Sequence, residues 1–257
     1  MAKTALITGS SRGIGAAIAL RLAKDGMNIA FNDLNMTMFE NNDIVDKVKA
    51  LGVEAEIFCA DVSKYDQCEQ MVKDVKARFG SIDVLVNNAG STRLGTMVDL
   101  EDSTYDFIIN LNMKGPFIMS TEVAKVMIPR RSGRIINITS YCAVRGEFAN
   151  APYCMAKAGI KMMTQVQALE LGQYGISAVA IAPGDTNTEL LQDAFRKRAE
   201  LEGKTIEEVY AAAGKKVPLG RVGEPEDIAE LAAFMCSEKS QFVNGSHILA
   251  TGGYVMA

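Results

Sequence analysis

Thr4-Ala5-Leu6-Ile7-Thr8-Gly9-Ser10-Ser11-Arg12-Gly13-Ile14-Gly15 reads as an apolar strand that enters a glycine-rich turn and leaves it as a helix. Glycine permits a tight reversal and the close approach of backbone to a bulky anion, which the helix N-terminus then holds through its N–H groups. The spacing is G-x-x-x-G-x-G rather than G-x-G-x-x-G, so the turn alone is a modest signal. Its place between a first strand and a first helix gives it weight. Gly9, Gly13 and Gly15 are the candidate bed of a pyrophosphate.

Outward from this turn the chain keeps one rhythm. Apolar, β-rich runs at 4–8, 28–32, 55–60, 84–87, 134–139, 176–182 and 247–250 alternate with helically periodic segments at 14–24, 65–79, 105–127, 153–173 and 226–236. The alternation predicts right-handed βαβ units, and strands apolar throughout fit a sheet covered on both faces. The expected fold is a three-layer, doubly wound Rossmann α/β architecture around a seven-stranded, mostly parallel sheet. The 257 residues, 48% hydrophobic, suffice for one domain over 1–257, and no linker or repeat divides them. One segment departs from the rhythm. At 188–216 two charged helical patterns, 189–202 and 206–215, are joined at Gly203 ahead of Pro218. Loops at strand C-termini frame ligands in this architecture, so the insert is expected to be a mobile helical lid; a solvated helical pair is the alternative.

Composition excludes several classes of partner. A net charge of −4 gives no reason to expect nucleic acid or an anionic membrane surface. No run approaches the ~18 apolar residues of a membrane span. Met1-Ala2-Lys3-Thr4 leads directly into the first strand, and the five cysteines (Cys59, Cys68, Cys142, Cys154, Cys236) are scattered without metal-ligand spacing. A reduced, cytoplasmic chain without signal peptide, disulfide framework or metal is the expectation. The single histidine, His247, excludes mechanisms that need two, and its late strand-like setting suits a structural role.

Two further positions carry chemistry. The second strand ends at Asp33, 18 residues beyond Gly15, where an acidic residue accepts hydrogen bonds from an adenosine ribose and repels a 2′-phosphate. Arg12 pulls the other way, because a guanidinium in the glycine turn can reach such a phosphate. A carboxylate directly against the ribose dominates, so NAD is expected over NADP. Ser140 follows the apolar run 134–139, and Tyr153 and Lys157 stand at i and i+4 on one helix face. An ammonium beside a phenol favours the phenolate, which makes the pair a candidate proton-transfer device; an ordinary surface pair is the plainer reading.

Taken together, Thr8-Gly9-x-x-x-Gly13-x-Gly15, Asp61 after the third strand, Asn87-Asn88-Ala89-Gly90 after the fourth, Asn112, Ser140, Tyr153-x-x-x-Lys157 and Pro183-Gly184 after the sixth resemble the short-chain dehydrogenase/reductase family over essentially the whole chain. The resemblance implies a general acid/base at Tyr153, and at Lys157 a lysine that tunes it and bonds the nicotinamide ribose. It implies a carbonyl-orienting hydroxyl at Ser140 and support for a water-linked proton path at Asn112. For the cofactor it implies Gly9, Ser11, Arg12, Gly13, Ile14 and Gly15 along the pyrophosphate side. Asp61 and Val62 would face the adenine, and Asn87, Ala89 and Gly90 would lie beneath the adenosine ribose. Pro183, Gly184, Thr186 and Thr188 would face the nicotinamide, with Thr188 also suited to cap the next helix. Thr186 stands where relatives carry an apolar β-branched residue, and Thr251 where many carry Asp.

Substrate choice falls to residues around this set: 91–94, 141–150, 185–187 and the insert. Arg93, Arg145, Glu147, Asn150, Asp185 and Asn187 make that lining polar. It suits a small polar alcohol or ketone, such as a polyol, sugar or acetoin-like compound. The alternatives are a 3-oxoacyl-carrier-protein reductase, a hydroxysteroid dehydrogenase and a silent NAD-binding protein. The resemblance also implies a homotetramer or homodimer packed through 105–127 and 153–173. The methionines there (Met113, Met119, Met127, Met162, Met163) fit an interface or a core equally.

Overall fold

Seven parallel strands form one sheet whose side chains take opposite faces in turn. In the computed structural model, which describes residues 2–40 and 42–256, the strands are β1 (Thr4–Thr8), β2 (Asn28–Asp33), β3 (Ala55–Cys59), β4 (Val84–Asn87), β5 (Gly133–Ile138), β6 (Ile176–Pro183) and β7 (His247–Ala250). Their order is β3-β2-β1-β4-β5-β6-β7, and every pair is parallel rather than most of them. Ala5 and Ile7, Ile29 and Phe31, Val84 and Val86, and Ile136 and Ile138 enter one buried layer. Leu6, Ala30, Leu85 and Ile135 enter the other. This period-2 division is why the strands read as unbroken apolar runs: both faces need cover.

The cover is helical. α1 (Gly13–Lys24), α2 (Ile44–Lys49) and α9 (Pro225–Cys236) supply the first layer through Ile18, Leu22, Val48, Ile228 and Ala232. α3 (Tyr65–Phe79) and α5 (Gly115–Met127) supply the second through Met71, Val75, Met119 and Val123. α2 has no counterpart among the expected segments. It is six residues long with Ile44 and Val48 as its buried anchors, too short for periodicity to show.

The run 105–127 is not one helix. α4 (Asp102–Ile109) passes into a π turn (Asn110–Lys114) before α5. Pro116 has no N–H to give Asn112, and the Asn112 amide donates instead to the Ile108 carbonyl at 2.9 Å, so the regular ladder breaks there. α6 (Ala151–Leu171) begins two residues earlier than the expected 153, because Pro152 fits a first helical turn. Met119 and Met127 are fully buried, whereas Met113 and Met162 are exposed.

The insert forms α7 (Glu189–Glu202) and α8 (Ile206–Lys216) around a small core of its own, with Phe195 edge-on to Tyr210 at 4.8 Å. Asn187 fastens it. Its Oδ1 accepts from Gln192 and Tyr210 at 3.0 Å each, and its Nδ2 donates to Glu224 at 3.1 Å. Among the described residues no helix is long and apolar enough to cross a membrane.

A buried polar network joins sheet to helices on the α5/α6 side. Asn87 and Asn137 are register partners on β4 and β5. Asn87 donates to Asn137 at 2.8 Å and to Ser120 of α5 at 2.9 Å, while Asn137 donates to Thr164 and Gln167 of α6 at 2.9 Å each. Removing one member leaves buried polar atoms of the others without their protein partner. Asn137→Ala is expected to lower unfolding stability in urea by about 1–3 kcal/mol, whereas Lys76→Ala, exposed on α3, should move it by less than about 0.5 kcal/mol. Equal losses would deny the network its role.

Candidate active site

Because all strands run the same way, their C-terminal ends share one edge, and chain order reverses between β1 and β4. A crevice at such a reversal is where parallel sheets hold ligands. Its floor is built by close contact. Gly9 has φ +60°, and a Cβ there would stand 2.8 Å from the Ala89 Cα; at Gly15 it would stand 2.4 Å from the Gly9 carbonyl oxygen. Asn88 locks the two turns, donating to the carbonyls of Thr8 at 3.0 Å and Gly9 at 2.8 Å. The Thr8 hydroxyl accepts from the N–H groups of Asn88 and Ala89, both at 3.0 Å. Thr8 and Asn88 lie inside the glycine turn and the Asn87–Gly90 motif, but neither motif tells from sequence alone that these two side chains lock the turns together.

No side chain caps α1. The Arg12 guanidinium instead reaches Glu189 at 2.7 Å, and Gly13 packs against Thr188, so the start of the insert abuts the glycine turn. First-turn N–H groups over a bed that admits no Cβ are the donor set a pyrophosphate needs. Asp33 stands beside them. Its Oδ2 accepts from the Ser11 hydroxyl at 2.6 Å and the Ser11 N–H at 3.4 Å, and its Oδ1 from Leu34 N–H at 2.9 Å. Asp61 accepts from Ser63 at 2.7 Å, and Val62 is buried against Gly115. This arrangement could hold a dinucleotide, with Gly9 through Gly15 toward its phosphates, Asp33 toward a ribose, and Asp61 and Val62 further along the edge.

Asn87 lies differently from its expected place under the ribose. Its side chain turns into the sheet network, and Ala89 and Gly90 form the surface of that turn. On the far side of the crevice, Thr186 is buried with its hydroxyl donating to the Gly184 carbonyl at 3.0 Å. Thr188 caps α7, accepting from Leu191 N–H. Thr251 closes the C-terminal turn by donating to Val255 O at 2.9 Å.

Ser140, Tyr153, Lys157 and Asn112 gather around the end of β5. Ser140 accepts from Cys142 N–H at 3.2 Å just beyond the strand. Lys157 is buried, donates to the Ile138 carbonyl at 3.0 Å, and holds its Nζ 5.4 Å from the centre of the Tyr153 ring. A Cβ on Gly90 would fall 2.7 Å from Asn112 Oδ1 and 3.5 Å from Lys157 Nζ, so both groups stand against one glycine. Asn112 also donates to Ser91 O at 2.8 Å.

Electrostatics here are ruled by burial. Burial pushes the Tyr153 phenol up, with the Cys142 and Glu147 side chains adding to the rise and a hydrogen bond from Ser140 opposing it. Burial pushes the Lys157 amine down to about 8. The expected lowering of the phenol by its lysine does not appear in this setting, where burial leaves the phenol above its ordinary value. Glu147 and Asp185 bring carboxylates to the same mouth, and burial with the Glu147 charge raises Asp185. Among the described residues no group of His, Cys, Asp or Glu is placed to hold a metal ion.

A family model described as enoyl-(acyl carrier protein) reductase matches residues 9–255. The chain is 38% identical to the 3-oxoacyl-[acyl-carrier-protein] reductase FabG of Staphylococcus epidermidis across the full length of both. It belongs to the short-chain dehydrogenase/reductase family. Members of that family bind NAD or NADP, and the chain is an oxidoreductase of this family. Galactitol 2-dehydrogenase of Agrobacterium fabrum is 36% identical over 99% of this chain and 98% of its own. Among solved short-chain dehydrogenase/reductase structures, an actinorhodin polyketide ketoreductase with NADPH superposes with TM-score 0.94 at 30% identity, covering 98% of this chain and 97% of that one. An NAD⁺-bound xylitol dehydrogenase superposes with TM-score 0.91 at 30% identity, covering 98% of each.

The lowered Lys157 pKa has a consequence for stability. The folded amine releases its proton near pH 8 and the unfolded one near 10.5, so between these values the unfolded chain binds more protons. Stability contributed by this residue therefore rises with pH across that window, by at most about 1.4 kcal/mol per pH unit, and is flat below it. Urea melts from pH 7 to 10 should show wild type gaining on Lys157→Met as pH increases. A constant gap between the two would mean the amine is not perturbed.

Proposed function

We propose that the chain interconverts a ketone and a secondary alcohol at Ser140, Tyr153 and Lys157, with reduction the direction its resting protonation favours. The observation that carries this is the buried Lys157 amine against the Tyr153 ring, with Ser140 opening the same wall. When bound, the nicotinamide dinucleotide supplies or takes the hydride. Tyr153 gives its phenolic proton to the carbonyl oxygen in reduction and recovers it in oxidation. Ser140 donates to that oxygen and fixes its direction. The Lys157 ammonium stabilises the phenolate left when that proton is given, and Asn112 holds the Gly90–Ser91 backbone beside it.

For the coenzyme, the fixed Asp33 carboxylate at the glycine turn supports NAD, since a 2′-phosphate there would meet a like charge. Arg12 is engaged by Glu189, which weakens the counter-argument. For the substrate, the relatives favour the ketone of a 3-oxoacyl thioester: besides the Staphylococcus epidermidis enzyme, FabG of Thermotoga maritima is 34% identical over 99% of this chain. A small polyol or sugar is the second reading. It is supported by Glu147 and Asp185 at the mouth and by the galactitol 2-dehydrogenase relative. An exposed apolar row on α5 and α6 (Phe117, Met155, Met162, Leu169) supports assembly of copies through those helices.

The first test is a substrate panel of 3-oxoacyl thioesters, polyols, sugars and acetoin, each with NAD(H) and NADP(H). Tyr153→Phe is expected to lose about 10²- to 10⁴-fold in turnover on whichever substrate is used, with NADH binding by fluorescence unchanged. Turnover kept by Tyr153→Phe would overturn the assignment of the acid. Separately, Asp33→Asn should shift the ratio of kcat/KM for NADP over NAD upward by about tenfold or more, as removal of a like charge requires. A wild type that already prefers NADP would sink the Asp33 argument.

A further inference from the structure

We infer that Glu147 is a positioning residue that closes the loop between Ser140 and Tyr153, and so sets where the polarising hydroxyl stands relative to the phenol. The inference rests on the oxidoreductase reading above for its consequence, though not for its geometry. The loop leaves Ser140 through a short turn (Tyr141–Ala143) and enters α6 at Ala151. Glu147 lies between and grips both ends. One carboxylate oxygen accepts from the Tyr141 hydroxyl at 3.1 Å. The other accepts from the Asn150 amide at 2.8 Å and from the Cys142 thiol at 3.4 Å. Tyr141, Cys142 and Asn150 are buried, so each donor needs a partner inside the protein.

Two more contacts show why a clasp is required. Ala149 adopts φ +58°, a left-handed conformation that costs a non-glycine residue roughly 1 kcal/mol. It is held by Gly95 N–H donating to its carbonyl at 2.8 Å. Beyond Asn150 the chain of bonds continues, since Thr92 donates to Asn150 Oδ1 at 2.7 Å and ties the loop to the segment after β4. From the opposite side Tyr254 packs edge-on to Tyr141 at 5.5 Å, and the Arg145 guanidinium lies over Tyr254 at 5.0 Å. Without the Glu147 carboxylate, the strained backbone loses the bonds that join its ends.

The same carboxylate has an electrical effect. Facing Tyr153 are Ser140, Cys142 and Glu147 from the loop and Cys154 and Lys157 from α6; facing Glu147 from beyond β6 is Asp185. Of these, Glu147 is a negative charge that opposes a phenolate. Glu147→Gln keeps one acceptor oxygen for Asn150 and Cys142, turns the other into a donor that the Tyr141 hydroxyl can accept from, and removes the charge, whereas Glu147→Ala removes both contacts and charge.

The test uses the full chain, compared with wild type on the best substrate of the panel. Glu147→Gln is expected to move the acid limb of kcat/KM for alcohol oxidation to lower pH, by about half a unit to one unit. Glu147→Ala is expected to lose about 10- to 100-fold in kcat with NADH affinity unchanged. It should also speed deuterium uptake in peptides covering 140–153 and leave the rest of α6 protected. Wild-type kcat and uptake in Glu147→Ala, or equal loss of NADH binding and of cooperative unfolding in both variants, would overturn the proposal. Deuterium uptake reads the clasp without turnover. A wild type inactive on every substrate would therefore count against the oxidoreductase reading, and the exchange result would still decide on Glu147.

Discussion

The hydrogen bond from Lys157 to the Ile138 carbonyl, 3.0 Å long and buried, fixes the register of α6 against the sheet. A lysine amine is costly to bury, and one fixed in place by a carbonyl must have its surroundings arranged around it. Gly90 is one such arrangement, since a Cβ there would strike Asn112 and crowd the amine. The π turn is another. By widening the α4–α5 junction it delivers Asn112 to the same point, with its amide spent on Ile108 and Ser91. Three chain segments thus converge on one nitrogen, and Tyr153, one helical turn before it, is carried to its place as a consequence.

Legibility in the sequence followed physical strength. Double-sided burial writes itself as continuous apolar runs, and β4 and β7 begin and end at the expected residues because turn residues bound those runs. Close backbone approach writes itself as glycine, which is why Gly9, Gly15 and Gly90 could be picked out before their neighbours were known. What could not be read was side-chain direction where neighbouring residues look alike. Asn87 and Asn88 are adjacent amides; strand alternation sends the first into the α5/α6 layer, and the turn sends the second back to Gly9. The break at the π turn was hidden for another reason: apolar periodicity runs straight through 105–127, and only Pro116 marked it.

Long-range charge was similarly opaque. In sequence, Arg12 competes with Asp33 over the coenzyme. In the fold each has its own partner, Glu189 for the guanidinium and Ser11 for the carboxylate. The Arg12–Glu189 pair is exposed on both sides and so contributes little to stability. Its significance is geometric, because it ties the glycine turn to the first residue of α7, and Asn187 ties the same region to α8 and to Glu224. The insert is therefore attached to the coenzyme side of the crevice at one end and has its own core at the other.

Two kinds of constraint meet at the crevice, and they act on different parts of it. The floor is set by contacts that leave no room for substitution, between β1 and β4 and around Lys157. The wall facing a substrate is set by a loop that is locally strained at Ala149 and closed by a single carboxylate. A closely packed floor fixes Tyr153 and Lys157 whatever is bound, while a wall built from a separate loop can change without moving them. Relatives as different as a 3-oxoacyl-[acyl-carrier-protein] reductase and a galactitol 2-dehydrogenase can share over a third of this chain's residues on those terms. Overall identity does not separate the two, because the polar side chains of the wall are already paired with one another: Asn150 with Glu147 and Thr92, and Glu147 also with Tyr141 and Cys142, so a ligand that bonded to them would have to replace bonds the fold already makes.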